Sequence, residues 1–267
     1  MIIHISALDL PELRPYRTLR RHQQHKDDGI FVTEGEKVVR RLLASDLRIV
    51  SILVTPEWLA ALFPPGSEPT CTVYVAEKPL LDTIAGFRLH QGIMAVGKLP
   101  EERPLDDVLA SLRTPLLIVA LDGLMNAENV GVVVRNCAAF GVQVILVGQT
   151  SCSPYLRRAV RNSVGAAFKI PIVHVNDLAD ALSRVKQRTK ARIVATSLHQ
   201  SISIHQAKFT DDLCLVLGNE ETGVASDVLA VCDERVAIPM LNDTDSLNVA
   251  SASAAFLYEV QRQRSQT

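Results

Sequence analysis

Aromatic residues are scarce, with seven Phe, four Tyr and one Trp in 267 residues. That disfavours a protein that reads unpaired bases by stacking many of them on aromatic platforms. The five cysteines, Cys71, Cys137, Cys152, Cys214 and Cys232, are odd in number and none forms a Cys-x-x-Cys pair. Neither a disulfide framework nor a zinc site is suggested, and the thiols read as buried small hydrophobes of a reducing cytoplasm. No uninterrupted apolar run is long enough for a membrane span: residues 136–156 are uncharged but broken by Gln143, Gln149, Ser151, Ser153 and Pro154. The first ten residues have no basic stretch and carry Asp9, so no secretory signal is expected. Gly-x-Gly-x-x-Gly and Gly-x-x-x-x-Gly-Lys-Ser/Thr are both missing, which removes the signatures of a dinucleotide fold and a P-loop nucleotidase. The seven histidines are scattered and no metal is expected. Charge is also nearly balanced, at −1 overall, so there is no bulk electrostatic attraction to nucleic acid.

What is present is 48% hydrophobic and 21% charged, an ordinary globular balance long enough for two domains. Residues 13–26 read as a basic helix with Arg14, Arg17, Arg20, Arg21 and Lys26, followed by a strand, turn and helix over 30–43. Apolar strands are expected at 49–54, 71–75 and 92–96, with a helix near 79–85, which makes a small α/β unit over residues 1–98. Residues 99–114 are charged and proline-bearing, as a linker would be. From 115 to 267 apolar strands (116–121, 144–147, 170–173, 193–196, 213–217, 236–238) alternate with helices (130–140, 156–164, 178–188, 247–261). This alternation predicts a mostly parallel sheet covered by helices, an α/β domain.

In such a sheet ligands sit beyond the carboxyl ends of the strands. Three strand-to-helix junctions there are loaded with Gly, Asn and acidic residues: 122–131, leading to Arg135 and Asn136; 217–223; and 238–248. Each has a plain structural reading as well. Asn129 could cap a helix, Gly218 and Gly223 could be turn glycines, and Ser246 could cap the last helix.

Taken together and in order, Asn129-x-Gly131-x-x-x-Arg135-Asn136, Leu217-Gly218-Asn219-Glu220-x-x-Gly223 and Ile238-Pro239-Met240 with Ser246-Leu247-Asn248-Val249 resemble the three motifs of the SpoU (TrmH) family of RNA 2′-O-ribose methyltransferases. The first unit resembles the ribosomal-protein-like α/β substrate-binding domain of many members, with Val32-Thr33-Glu34-Gly35 and His90-Gln91-Gly92-Ile93 in place. The resemblance implies a catalytic SPOUT domain with a deep trefoil knot, dimerisation through that domain, and S-adenosylmethionine as cofactor. It implies catalytic roles for Arg135, Asn129, Glu220, Asn248 and Ser246, and cofactor contacts at Gly218, Ile238, Leu247 and Thr196. Members often carry a glycine soon after Ile-Pro-Met, whereas this chain has Leu241-Asn242-Asp243-Thr244-Asp245, so the loop contacts there should differ in detail.

Arg135 is expected at the nucleophile. A guanidinium with a pKa above about 12 is a poor base, so it should stabilise the developing 2′-alkoxide or hold the adjacent phosphate. Glu220 is expected to anchor Arg135, and Gly218 to let the ligand approach closely. The charge is segregated: residues 129–176 hold five basic and no acidic residues, while 211–245 hold nine acidic residues and only Arg235. Arg157 and Arg161 fall on one helical face and, with Arg14, Arg17 and Arg21, are expected to meet RNA phosphates. Ribosomal RNA is favoured over transfer RNA because of the appended domain. A catalytically silent RNA-binding member, and a methyltransferase acting on a base nitrogen, are the alternatives.

Overall fold

A computed structural model describes residues 1–84, 91–242 and 244–266. His90 and Asp243 lie outside the described residues. The chain divides into two compact units, 1–101 with 155–168, and 102–154 with 169–267.

The first unit runs β1 (Ile2–His4), α1 (Arg14–Arg17), α2 (His22–Asp27), β2 (Ile30–Glu34), α3 (Glu36–Leu43), β3 (Ile49–Val54), α4 (Pro56–Leu62), β4 (Thr72–Val75), α5 (Lys78–Asp82) and β5 (Ile93–Lys98). Its sheet order is β1-β4-β3-β5-β2, parallel across β1, β4 and β3 and antiparallel where β5 meets β3 and β2. The expected single basic helix is two short ones. Leu13, Tyr16 and Leu19 all turn into the core, and the buried Tyr16 hydroxyl bonds Ser51 Oγ at 2.8 Å, so the segment follows the core instead of a continuous helical face. β1 and α4 were not expected. α4 does have a sequence signal, Pro56 at its first turn after Thr55.

The second unit starts with α6 (Leu105–Ala110), inside the stretch expected to be a linker. Leu105, Val108 and Leu109 of α6 are buried in the core with Leu182, Val185 and Ile193, so this segment is part of the domain. Then follow β6 (Leu117–Leu121), α7 (Ala127–Ala139) and β7 (Val144–Gly148). The next helix, α8 (Arg157–Asn162), belongs to the first unit, which corrects the expectation of an unbroken domain from 115 onwards. Phe31 explains the assignment: its ring centroid lies 5.4 Å from Tyr155 and 5.5 Å from Phe168, the two ends of the segment.

The second unit resumes with β8 (Ile172–Val175), α9 (Leu178–Thr189), β9 (Arg192–Thr196), β10 (Ile202–Ser203), β11 (Leu213–Leu217), α10 (Ser226–Val231), β12 (Glu234–Ala237) and α11 (Val249–Arg264). Its seven strands are all parallel, in the order β10-β12-β9-β11-β6-β7-β8. Every residue of β6, β7 and β11 is buried, as strands covered on both faces require. β11 lies between β6 and β9, so the loops that follow β6, β9, β11 and β12 emerge at the same end of the sheet.

Candidate functional site

α7 is capped by Asn126, whose side chain accepts from the backbone N–H of Glu128 at 2.8 Å and of Asn129 at 3.3 Å. The cap therefore sits three residues before Asn129 and leaves the Asn129 amide free for other work. Asn129 Nδ2 donates to Glu220 Oε1 at 2.7 Å, and Asn129 Oδ1 accepts from Asn248 Nδ2 at 3.2 Å. Asn248, not Ser246, caps α11, its Oδ1 accepting from Ala250 N at 2.8 Å. One continuous chain of hydrogen bonds, Asn248 to Asn129 to Glu220, thus joins all three junctions. An ionised carboxylate only accepts, so Glu220 fixes which end of the Asn129 amide faces it.

Arg135 behaves differently from expectation. It is exposed on α7, and among the described residues no carboxylate lies within ion-pair distance of it. Glu220 is committed to Asn129 and does not anchor Arg135. Its neighbour Asn136 is structural: Nδ2 bonds Ala250 O and Ser253 Oγ, both at 2.9 Å, and ties α7 to α11. Those small residues of α11 let the two helices meet closely.

Thr196, Gly218, Ile238 and Leu247 all line a single cavity of about 490 Å³, together with Glu220 and Ser246. It lies at the carboxyl ends of β9, β11 and β12, where a parallel sheet offers its ligand site. Thr196 Oγ1 donates to Val216 O at 3.1 Å, so this hydroxyl braces the cavity wall. Gly218 has a reason to be glycine beside the one expected. A Cβ there would lie 2.4 Å from the backbone of Gly223 and Val224, so the chain's own return path excludes a side chain.

Two residues inside these junctions were given no role by sequence reasoning. Asn219 Oδ1 accepts from the N–H groups of Glu221 and Thr222 at 2.9 and 3.0 Å, and its Nδ2 donates to Gly123 O at 2.7 Å. Buried Asp122 accepts from Ala225 N at 2.7 Å, and burial raises its pKa above the ordinary carboxylate value. Both lace the loop after β11 to the loop after β6. An Asn beside a turn glycine was the available signal for the role of Asn219; the role of Asp122 gave none, because its partner is about a hundred residues away in sequence.

The proposed phosphate-facing arginines are unequal. Arg14 is ion-paired with Asp28 at 2.6 Å, Arg17 reaches Leu10 O at 3.5 Å, and Arg21 is exposed. Arg157 is nearly enclosed and held by Glu34, whereas Arg161 stays largely exposed. All five cysteines are free, but Cys71, Cys152 and Cys232 are only partly buried. Among the described residues no group of three or more His, Cys, Asp or Glu is placed to hold a metal ion, and no helix is long and apolar enough to cross a membrane.

The SpoU rRNA Methylase family model matches residues 116–258. An uncharacterized tRNA/rRNA methyltransferase of Mycobacterium tuberculosis H37Rv is 30% identical over 259 residues, covering 94% of this chain and 88% of its own. A 23S rRNA (guanosine-2′-O-)-methyltransferase of Escherichia coli K12 is 34% identical over 196 residues, covering 72% of this chain and 80% of its own. An AdoMet-bound rRNA methyltransferase from Sinorhizobium meliloti has a similar structure, with a TM-score of 0.84 at 25% identity over 98% of each chain. A family match that takes in all three junctions, and a relative aligned along nearly the full length, lead to one assignment: the chain belongs to the SpoU rRNA methylase family.

Proposed function

We propose that the protein transfers a methyl group from S-adenosylmethionine to a ribose 2′-hydroxyl of structured RNA, ribosomal rather than transfer RNA. The observation that carries this reading is the chain Asn248 to Asn129 to Glu220, whose carboxylate end lines the cavity formed by Thr196, Gly218, Ile238 and Leu247. A cavity of about 490 Å³ suits a nucleoside-sized ligand. Among the described residues its lining includes Glu220, Glu221 and Asp245 against Arg235 alone of Lys and Arg, a balance that favours a cationic sulfonium. Thr196, Gly218, Ile238 and Leu247 would hold the cofactor, which when bound supplies a methyl group on positively charged sulfur.

The protein's own groups then align and stabilise. Glu220 and Asn248 lock the Asn129 amide in one orientation. Ser246, exposed at the cavity rim with no hydrogen bond to protein among the described residues, is free to meet the incoming nucleotide. Arg135, whose guanidinium has no carboxylate within ion-pair distance among the described residues, is suited to a 2′-oxyanion or the flanking phosphate and unsuited to removing a proton.

The first unit, as a ribosomal-protein-like substrate domain, supplies RNA contacts through Arg14, Arg17, Arg21 and Arg161, with the nearly enclosed Arg157 beside them on α8. The second unit carries the trefoil knot, a reading supported by the placement of β11 between β6 and β9. It also forms a homodimer; exposed Tyr258 on α11, with 60% of its surface open, offers apolar area for that contact. The setting is the cytoplasm. Two relatives favour ribosomal RNA by name, those of E. coli and S. meliloti.

The test offers labelled donor with separated ribosomal and transfer RNA pools and maps the modified nucleotide. Wild type should label ribosomal RNA, and a 2′-deoxyribose at the mapped position should block transfer. Arg135→Ala should bind donor normally and lose about 100-fold or more in rate. Undiminished turnover would refute the role of Arg135, methylation of the deoxy substrate would move the target to a base, and a wild type without transfer would mark a silent RNA-binding member.

A further inference from the structure

Glu34 of the Thr33-Glu34-Gly35 segment ends β2 with its carboxylate 10% exposed, and a single oxygen, Oε1, accepts from two guanidinium groups. Arg157 Nη1 donates at 2.6 Å and Arg161 Nη1 at 3.1 Å. The two arginines sit one helical turn apart on α8, which brings both to the same carboxylate. Their exposures differ sharply, at 13% for Arg157 and 57% for Arg161. One is sealed in with the carboxylate, and the other is tethered at one nitrogen with the rest of its fork in solvent.

Two positive charges on one negative leave this cluster net cationic and short of acceptors. Arg157 Nε is buried without a hydrogen-bond partner among the described residues, and no second carboxylate lies within ion-pair distance of either arginine there. Arg158, exposed on the same helix, adds charge without a salt bridge among the described residues. Burial and then the charges of Arg157 and Arg158 lower the pKa of nearby His22, as a local positive field would. A phosphodiester oxygen supplies what the cluster lacks, a negative charge with open acceptor positions.

We propose that Glu34 and Arg157 are positioning residues that hold Arg161 ready for a backbone phosphate of the RNA substrate, so that a buried carboxylate strengthens binding to a polyanion. This rests on the reading of the protein as an RNA methyltransferase and adds to it a defined phosphate site in the first unit. A guanidinium already held at one end loses less conformational freedom when it engages phosphate. Contacts of this kind fix register on the RNA and carry no base information.

The test is fluorescence-anisotropy binding of labelled ribosomal RNA fragments to the full-length protein across a salt titration. Arg161→Ala should weaken binding about fivefold, nearly equally for fragments of different sequence, and lower the salt slope by about one. Glu34→Gln removes a negative charge, so plain electrostatics predicts tighter binding to RNA. Positioning predicts the opposite, a loss close to that of Arg161→Ala, with little further loss in the double variant. Tighter binding by Glu34→Gln, or losses that simply add, would overturn the proposal. Unfolding curves establish that Glu34→Gln is folded; should it not fold, unchanged affinity and salt slope in Arg161→Ala would still overturn the site. Wild type that binds no RNA would overturn both this site and the assigned activity. Wild-type binding matched by Arg161→Ala would overturn this site alone, with donor binding and methyl transfer left standing.

Discussion

Gly218→Ala is the most demanding test of how the site is built. The added Cβ would lie 2.4 Å from Gly223 C and Val224 N, where real Cβ contacts essentially never fall below 3.0 Å. The obstructing atoms are backbone, so relief requires the 218–224 loop to move by at least about 0.6 Å, and by about 1 Å to reach ordinary contact. That loop is held at both ends of its turn by the reciprocal backbone bonds of Asn219 and Gly223, at 2.9 and 3.0 Å, and by Asn219 Nδ2 on Gly123 O. Overpacking a closed site costs typically about 1–3 kcal/mol, and a backbone clash without a flexible neighbour belongs near the upper end. For a domain of this size about 3 kcal/mol lowers Tm by roughly 6–12 °C. The same displacement shifts Glu220 away from Asn129 and distorts the cavity wall, so donor affinity should fall in parallel. Thermal unfolding by circular dichroism, paired with calorimetric titration of S-adenosylmethionine, reads both effects. An alanine variant with wild-type Tm and wild-type donor affinity would refute the claim that the chain's own return path makes glycine obligatory here.

Asn219→Ala removes three side-chain hydrogen bonds that lace the same loops, and stability should fall by about 2 kcal/mol with weaker donor binding; unchanged donor affinity would show that the lacing does not support the cavity. Asn136→Ala should cost about 1–3 kcal/mol by leaving Ala250 O and Ser253 Oγ without the amide, yet spare donor binding, since Asn136, Ala250 and Ser253 do not line the cavity; donor titration at a temperature where the variant is folded checks this. Burial raises the Asp122 pKa, so the folded chain holds this proton more tightly than the unfolded chain. Its contribution to stability is therefore full below the ordinary value near 3.9 and is lost as pH rises through the folded pKa. Urea unfolding from about pH 3 to 6 should show wild type losing stability relative to Asp122→Asn, and the opposite slope would contradict the assignment.

Much of the architecture was legible because its signals are local. β3 and β11 fall at the expected limits, and the apolar runs and helical spacing located most of the other elements to within a few residues. The four positions expected to contact cofactor line one cavity, Thr196, Gly218 and Ile238 at the ends of parallel strands and Leu247 just before α11, where the topology of such sheets gathers its loops. Local pattern failed where the deciding contact was distant. Residues 99–114 look like a linker, yet α6 inside them fills the core of the second unit. Residues 155–168 read as one more helical stretch of the second domain and instead pack with the first through Phe31 and Glu34, more than a hundred residues earlier.

The residue types at the three junctions, their order along the chain and the parallel α/β class could all be read without coordinates, because motif spacing and periodicity are properties of neighbouring residues. Which group touches which emerged from the folded chain. Glu220 meets Asn129 rather than Arg135, Gly218 yields to its own backbone, and two arginines that looked equivalent on a helix divide into one nearly enclosed and one largely exposed. Hydrogen bonds and ion pairs act over about 3 Å, so these outcomes depend on how the chain brings residues 34, 129, 157 and 220 to their partners, which composition and periodicity do not encode.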